Sequence, residues 1–337
     1  MNKDEIKEFI KEEWFFFLSL LVFFIVMTYN VPFLIETGGG TIDLDSRIEL
    51  ENAYESKGSF NLSYVSTLEA TVSTYLASKV IPSWELIPMN TMSYSENETY
   101  EDVVSRDKIY LNNANELAIK VAYEEAGKSF SIISYNLNVF YIDPTADTTL
   151  KVGDIIIKCN DKEINDQNEL KDIIDKSNVG DTLNFIVKRN NEEVEATGRL
   201  QDIEGNKVIG ISVIRKDEYA TDPEIKLTFK DTEAGPSGGF TMALAIYNKL
   251  VEEDITHGLK IVGTGTIEED GSIGEIGGVE YKLKGAATAK ADLFLVPNGS
   301  NYEDAIKYKE KHNLKIEIIP INNFKEAIEI LKNYKGE

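Results

Sequence analysis

Asp231-Thr-Glu-Ala-Gly-Pro-Ser-Gly-Gly239 is followed at once by an apolar run: Phe240, Met242, Ala243, Leu244, Ile246, Tyr247 and Leu250. The Gly-Pro pair stops whatever precedes it, and Pro236 suits the first helical position, where its missing N–H costs nothing. The apolar spacing predicts a buried helix over residues 236–252. Ser237 then stands beside the first turn. Unpaired backbone N–H groups and the positive end of the helix dipole favour negative charge there. A serine so placed can attack a carbonyl, with donors ready for the oxyanion. The competing reading is a plain helix cap, a role serine fills on its own.

The downstream sequence separates the two readings. Gly263-Thr-Gly-Thr-Ile267 reads as a strand, residues 268–271 as a charged turn, and Ile273-Gly-Glu-Ile-Gly-Gly278 as the lead into a helix from Val279. That helix carries Lys282 among Leu283, Ala286 and Ala287. Desolvation lowers a lysine pKa, and a neutral lysine is a general base. Serine with a lysine base is a variant of the serine-hydrolase arrangement. Only two histidines exist, His257 and His312. His257 precedes Gly258 and suits a helix end. A histidine base is therefore hard to arrange, which strengthens the lysine.

These residues resemble the Lon-type serine peptidases. Gly235-Pro-Ser-Gly-Gly239 is similar to their nucleophile motif. Thr264-Gly-Thr-Ile and Gly277-Gly-Val-Glu-Tyr-Lys282 are similar to the segment with their catalytic lysine, and Ala291-Asp-Leu-Phe-Leu-Val-Pro297 to the strand after it. The resemblance implies Ser237 as nucleophile, Lys282 as base and Thr264 as the lysine's hydrogen-bond partner. It implies that Gly235, Pro236 and Gly238 shape the nucleophile and oxyanion loop. Ala234 is a departure, because full-length relatives often carry an acidic residue there. The dyad does not need that residue, but a local loop-switching role is put in doubt.

The segment from residue 131 to about 215 has a different pattern. Leu150-Lys-Val-Gly-Asp-Ile-Ile156, followed by the turn Asn160-Asp-Lys162, resembles bacterial PDZ domains. Such domains bind an extended peptide by adding it as a strand beside a helix. The expected groove lies between residues 138–142 and the helix from Gln167. Its candidate lining is Leu137, Asn138, Val139, Phe140 and Leu170. The loop of residues 135–138 would offer N–H groups to a terminal carboxylate. A small sandwich without a ligand is the alternative.

Upstream, the apolar run Trp14–Met27 continues to Ile35 with only Thr28, Tyr29, Asn30 and Pro32 as interruptions. About 20 such residues span a bilayer. Trp14 and Tyr29 suit its interfaces, and Lys3, Lys7 and Lys11 place the N-terminus in the cytoplasm by the positive-inside rule. No small-residue cleavage site follows, so the run reads as an anchor. With these features the chain resembles the YlbL-like group of membrane-anchored PDZ–Lon peptidases without an ATPase module. The expected fold class is α+β: an anchor over 1–35, the first part of a mixed α/β peptidase domain over 36–127, an inserted, mostly-β PDZ domain over 128–216, and the catalytic part over 217–337. Close chain ends make such an insertion easy.

Composition excludes other classes. A net charge of −23 leaves no basic face for nucleic acid. The one cysteine, Cys159, cannot form an intramolecular disulfide and reads as a packing residue. There is no Cys/His cluster and no zinc-binding His-Glu-x-x-His, so no metal is expected. Gly127-Lys-Ser129 is not a phosphate loop. The earlier glycine is missing at Ala122, and a helix precedes it rather than a strand. No cofactor and no nucleotide are expected. The leading function is an ATP-independent serine endopeptidase of the bacterial cytoplasmic membrane, its catalytic part outside. Its partners would be protein or peptide substrates, met through exposed C-terminal tails, and the lipid bilayer, with a homo-oligomer left open. The rivals are a catalytically idle PDZ adaptor and a protease subunit fuelled by a separate ATPase.

Overall fold

A computed structural model describes residues 13–95, 98–203 and 205–335. Its helices are α1 (Trp14–Met27), α2 (Val72–Ser78), α3 (Tyr100–Glu125), α4 (Gln167–Lys176), α5 (Gly239–Leu250), α6 (Val279–Thr288), α7 (Ser300–His312) and α8 (Phe324–Lys332). The strands before the PDZ-like segment are β1 (Asn30–Asp43), β2 (Ile48–Leu50), β3 (Ser59–Thr71) and β4 (Trp84–Pro88). Within it run β5 (Ser129–Ile142), β6 (Ile155–Cys159), β7 (Lys162–Glu163), β8 (Thr182–Arg189), β9 (Glu192–Arg199), β10 (Gln201–Ile203), β11 (Asn206–Val208) and β12 (Ile211–Asp222). After it come β13 (Ile225–Leu227), β14 (Lys260–Gly263), β15 (Leu293–Pro297) and β16 (Glu317–Ile321). The chain divides into two compact units, Met1–Gly38 with Val65–Ser93, and Gly39–Tyr64 with Tyr94–Glu337.

In the first unit β1 pairs antiparallel with β4, from Phe33 opposite Pro88 to Thr37 opposite Trp84. Here the expectation of a transmembrane helix is corrected. Helix α1 stops at Met27, and Asn30 to Ile35 belong to a strand. Pro32 can neither donate to a helix nor avoid the carbonyl four residues back. Fourteen residues give about 21 Å, short of a hydrocarbon core of about 30 Å. Among the described residues no helix is long and apolar enough to cross a membrane. Lys3, Lys7 and Lys11, on which the topology reading rested, lie outside the described residues. Helix α2 is also short. Thr71 and Thr74 form a capping box that starts it, and β3 occupies the residues before.

The second unit holds the sheet that builds the site. Strands β16, β15, β14 and β3 lie in that order and are parallel. Its main core is filled by α5, of which every residue but Lys249 is buried. Phe240, Leu244 and Ile246 meet Ile119 and Tyr123 of α3, together with Ile261, Leu293 and Phe324. Helix α3 begins at Tyr100, where Thr99 and Asp102 form a capping box. It stops at Gly127, whose φ of +66° lets the chain reverse into β5.

The PDZ-like segment has a core of its own, with Leu137, Val139, Ile156, Phe185 and Val187 inside. Its sheet runs β12-β5-β6-β8-β9, with β7 paired to β6. Strands β5 and β12 pair antiparallel from Ile142 opposite Ile211 down to Ser129 opposite Asp222. This ribbon carries the chain out of α3 and back towards β13. Cys159 is fully buried there, and burial pushes its thiol up to about 12, as suits a packing residue.

Candidate active site

Ser237 lies just before α5, not inside it. The helix begins at Gly239 and its N-cap is Gly238. Gly235 adopts φ +91°, which only glycine takes without strain, and its N–H donates to the Asp107 carbonyl on α3 at 2.9 Å. The Gly239 N–H donates to the Pro236 carbonyl at 3.1 Å, and the Met242 N–H to the Gly238 carbonyl at 2.9 Å. The turn of Gly235, Pro236 and Gly238 is thus fixed at both ends around the serine.

Thr264 follows β14 at the carboxyl end of a parallel strand, the edge where open α/β sheets place their ligands. Its N–H donates to the Leu295 carbonyl at 3.1 Å, and its hydroxyl donates to the Ser237 carbonyl at 3.1 Å. The next N–H, of Gly265, donates to the same carbonyl at 2.8 Å. The strand end and the serine turn are therefore stitched together through one oxygen.

Helix α6 brings the lysine. Gly278 caps it in the left-handed region at φ +66°, and the Lys282 N–H closes the first turn onto the Gly278 carbonyl at 3.1 Å. Lys282 is 2% exposed, and Thr264 is fully buried. The Lys282 Nζ lies 2.8 Å from the Ser237 Oγ and 3.2 Å from the Thr264 Oγ1. Ser237, Thr264 and Lys282, from three elements of the catalytic half, meet at one point. An amine that gives one N–H to Thr264 can turn its lone pair to the serine hydroxyl.

The expected PDZ groove is corrected. Leu137, Asn138 and Val139 are buried, and β5 is flanked there by β12 on one side and β6 on the other, while Leu170 keeps its expected place. No edge is left for an added peptide along residues 137–139. Phe140 packs instead on Tyr110 of α3 and on Tyr94, with ring centroids 5.5 and 5.9 Å apart. The open groove, about 390 Å³, lies between α4 and the edge strand β12. Leu170 and Ile174 line one wall, Ile211 and Val213 the other. Residues 139–142 of β5 and 211–214 of β12 are both mainly apolar, and hydropathy alone does not say which of the two is the edge. The Asp107 carbonyl also escaped the sequence reading. A backbone acceptor 130 positions from the serine leaves no side-chain signature.

Residues 177–333 match the family "Lon protease (S16) C-terminal proteolytic domain", and residues 118–200 match the PDZ domain family. An archaeal Lon protease of Halobacterium salinarum is 27% identical over 144 residues, covering 41% of this chain and 20% of that protein. One from Archaeoglobus fulgidus is 30% identical over 142 residues, covering 40% and 22%. The Lon protease of Clostridioides difficile is 29% identical over 160 residues, covering 43% and 20%. The chain thus spans about a fifth of the length of these curated relatives. Among solved structures, the PDZ domain of an SdrC-like protein from Listeria monocytogenes is similar. It is 25% identical, covering 23% of this chain and 86% of that one, with a TM-score of 0.22. The chain thus holds one segment similar to PDZ domains and one similar to the proteolytic domain of Lon-type serine peptidases.

Proposed function

We propose that this protein is an ATP-independent serine endopeptidase working through a Ser237–Lys282 dyad. The observation that carries the reading is the 2.8 Å approach of a buried lysine amine to the serine hydroxyl. Neutral Lys282 takes the Ser237 proton as Oγ attacks the scissile carbonyl. The tetrahedral oxyanion lies by the N-terminal turn of α5, where backbone N–H groups and the helix dipole favour it. Collapse breaks the C–N bond, and the lysine returns its proton to the leaving amine. Water, activated by the same amine, then releases the acyl group. A serine-reactive phosphonate should label the parent chain at Ser237 and leave Ser237→Ala unlabelled. An unlabelled parent would favour the rival, an idle PDZ adaptor.

Independence from ATP is supported by the order of elements around Gly127-Lys-Ser129. A helix precedes it and a strand follows, the reverse of a phosphate loop. The PDZ part is proposed as an insertion that recruits protein tails through the groove between α4 and β12. Attachment to a membrane is proposed through α1. None of its residues is buried, and Phe15 and Phe24 are 70% and 57% exposed. A helix apolar on all sides needs an apolar surrounding. The outward placement of the catalytic residues remains a proposal tied to that attachment. Flotation with liposomes tests the attachment, and protease shaving of wall-free cells tests the side.

A further inference from the structure

Arg47 and Glu233 are 186 positions apart, yet they form an ion pair beside the nucleophile loop. Their side chains are only 11% and 17% exposed, so water screens the pair less than it does a surface one. Glu233 uses both oxygens. Oε1 takes the Arg47 guanidinium, and Oε2 accepts the Lys230 N–H at 3.0 Å. The Glu233 N–H in turn donates to the Lys230 carbonyl at 2.9 Å, closing a tight turn four residues before Ser237. Arg47 also holds the loop with its backbone, its carbonyl accepting the Thr228 N–H at 3.0 Å.

The anchor of Arg47 is itself tied to α5. The 3-10 turn Leu44–Ser46 ends at Arg47. Leu44 is fully buried, and Asp45 meets Lys249 in the last turn of α5 at 2.7 Å. One turn is therefore bound to the far end of α5 and, through Arg47, to the loop that enters its near end.

We propose that Arg47 is a positioning residue for Ser237, acting through Glu233. This rests on the serine–lysine reading above. The pair fixes the path of residues 230–235, and with Gly235 held by Asp107 it sets where the serine hydroxyl meets the lysine. The Arg47 Nε is buried without a hydrogen-bond partner. The positive charge and one N–H do the holding, so lysine should serve at this position while a neutral chain should not.

The test uses the full chain and compares R47M, E233Q, R47K and the double variant R47M/E233Q. The readouts are kcat and KM on a fluorogenic peptide, phosphonate labelling of Ser237, and amide hydrogen exchange. Loss of one charge-assisted contact should slow labelling and kcat about tenfold in R47M and in E233Q, with KM changed less than about twofold. The double variant should be no slower than either single one, and R47K should stay within about threefold of the parent. Faster exchange should be confined to residues 230–238. Parent-like rates in R47M or E233Q, multiplying losses in the double variant, an R47K as slow as R47M, or faster exchange across the whole domain would each overturn the proposal. Should R47M fail to fold, E233Q decides, because glutamine still accepts the Lys230 N–H. A parent that phosphonate does not label brings down the serine–lysine reading itself. A labelled parent with indifferent variants brings down this proposal alone.

Discussion

Lys282 and Glu116 are two ionisable side chains on helices of the same unit, and their surroundings are opposite. The Lys282 amine is buried between two hydroxyls and meets both within 3.2 Å. Glu116 of α3 borders a cavity of about 280 Å³ beside the base of the β5–β12 ribbon. Its Oε1 is buried without a partner, and its neighbour across the cavity is another carboxylate, Asp217. The lysine has partners whichever proton state it adopts. The glutamate holds its proton well above the usual carboxylate range, up to about pH 7. The first arrangement suits a group that passes a proton on every turnover, and the second suits one that responds to pH.

The sharpest way to break this contrast is at the lysine. Lys282→Arg keeps the charge and stays protonated, so it cannot act as a base. It should lower kcat on a peptide by at least about a thousandfold, as should Ser237→Ala, without additivity in the double variant. Near-normal turnover by Lys282→Arg would mean the amine is only a structural cation.

Thr264→Val removes one of the two partners. Valine keeps the shape but neither accepts from Lys282 nor donates to the Ser237 carbonyl. Losing these two hydrogen bonds should slow kcat by about tenfold to a hundredfold, less than loss of the dyad. A Thr264→Ser variant should recover most of it. Equal losses in Val and Ser would show that the methyl group, not the hydroxyl, matters.

The two sites also differ in how far the sequence discloses them. Ser237, Lys282 and Thr264 each stand in a motif with glycines at fixed offsets, and those glycines encode the turns that bring them together. Helix α5 follows from apolar periodicity. Glu116 sits in the middle of a long helix in Asn113-Ala-Asn-Glu116, and nothing there tells a buried glutamate from a solvated one. Its setting is decided by β12, far along the chain. The strand side of the PDZ groove was hidden for the same reason, since the apolar stretches 139–142 and 211–214 differ in their pairing, while Leu170 on the helix side lines the groove. The apolar run after Trp14 was misjudged in length because strand pairing of Val31 to Ile35 overrides helix continuity. Long-range partners are what local patterns omit.

Removing the PDZ part tests the ribbon side of the comparison. Ser131 and Ala220 lie directly opposite each other, so deleting residues 132–219 and joining the ends by a two-residue Asn-Gly turn should keep the hairpin base. Short-peptide cleavage should survive and cleavage of folded protein substrates should fall. An insoluble deletion protein beside a soluble Ser237→Ala would count against an independently folded insertion.

The smallest expected effect belongs to Glu116 itself. Burial, and then the charge of Asp217, push its carboxyl up from 4.5 to about 7, while Lys216, Arg215 and the Asp217 N–H pull it back. The sign follows from proton counts. Between about pH 4.5 and pH 7 the folded protein keeps a proton that the unfolded chain has released, so stability falls as pH rises through that window. Below it both states are protonated, and above it both are ionised, so the contribution is flat. Glu116→Gln mimics the protonated form and still accepts the Asp217 N–H. Allowing for the partial exposure of the group, it should stabilise the protein at pH 8 by roughly 1–2 kcal/mol and leave it almost unchanged at pH 4.5. The check is the difference between the melting temperatures of variant and parent across pH 4.5 to 8, which cancels the many other carboxylates. A difference that grows with pH and levels off above about 7 supports the assignment. A constant difference would mean that Glu116 is solvated in both states, and that the cavity beside the ribbon is wet enough to hold its charge.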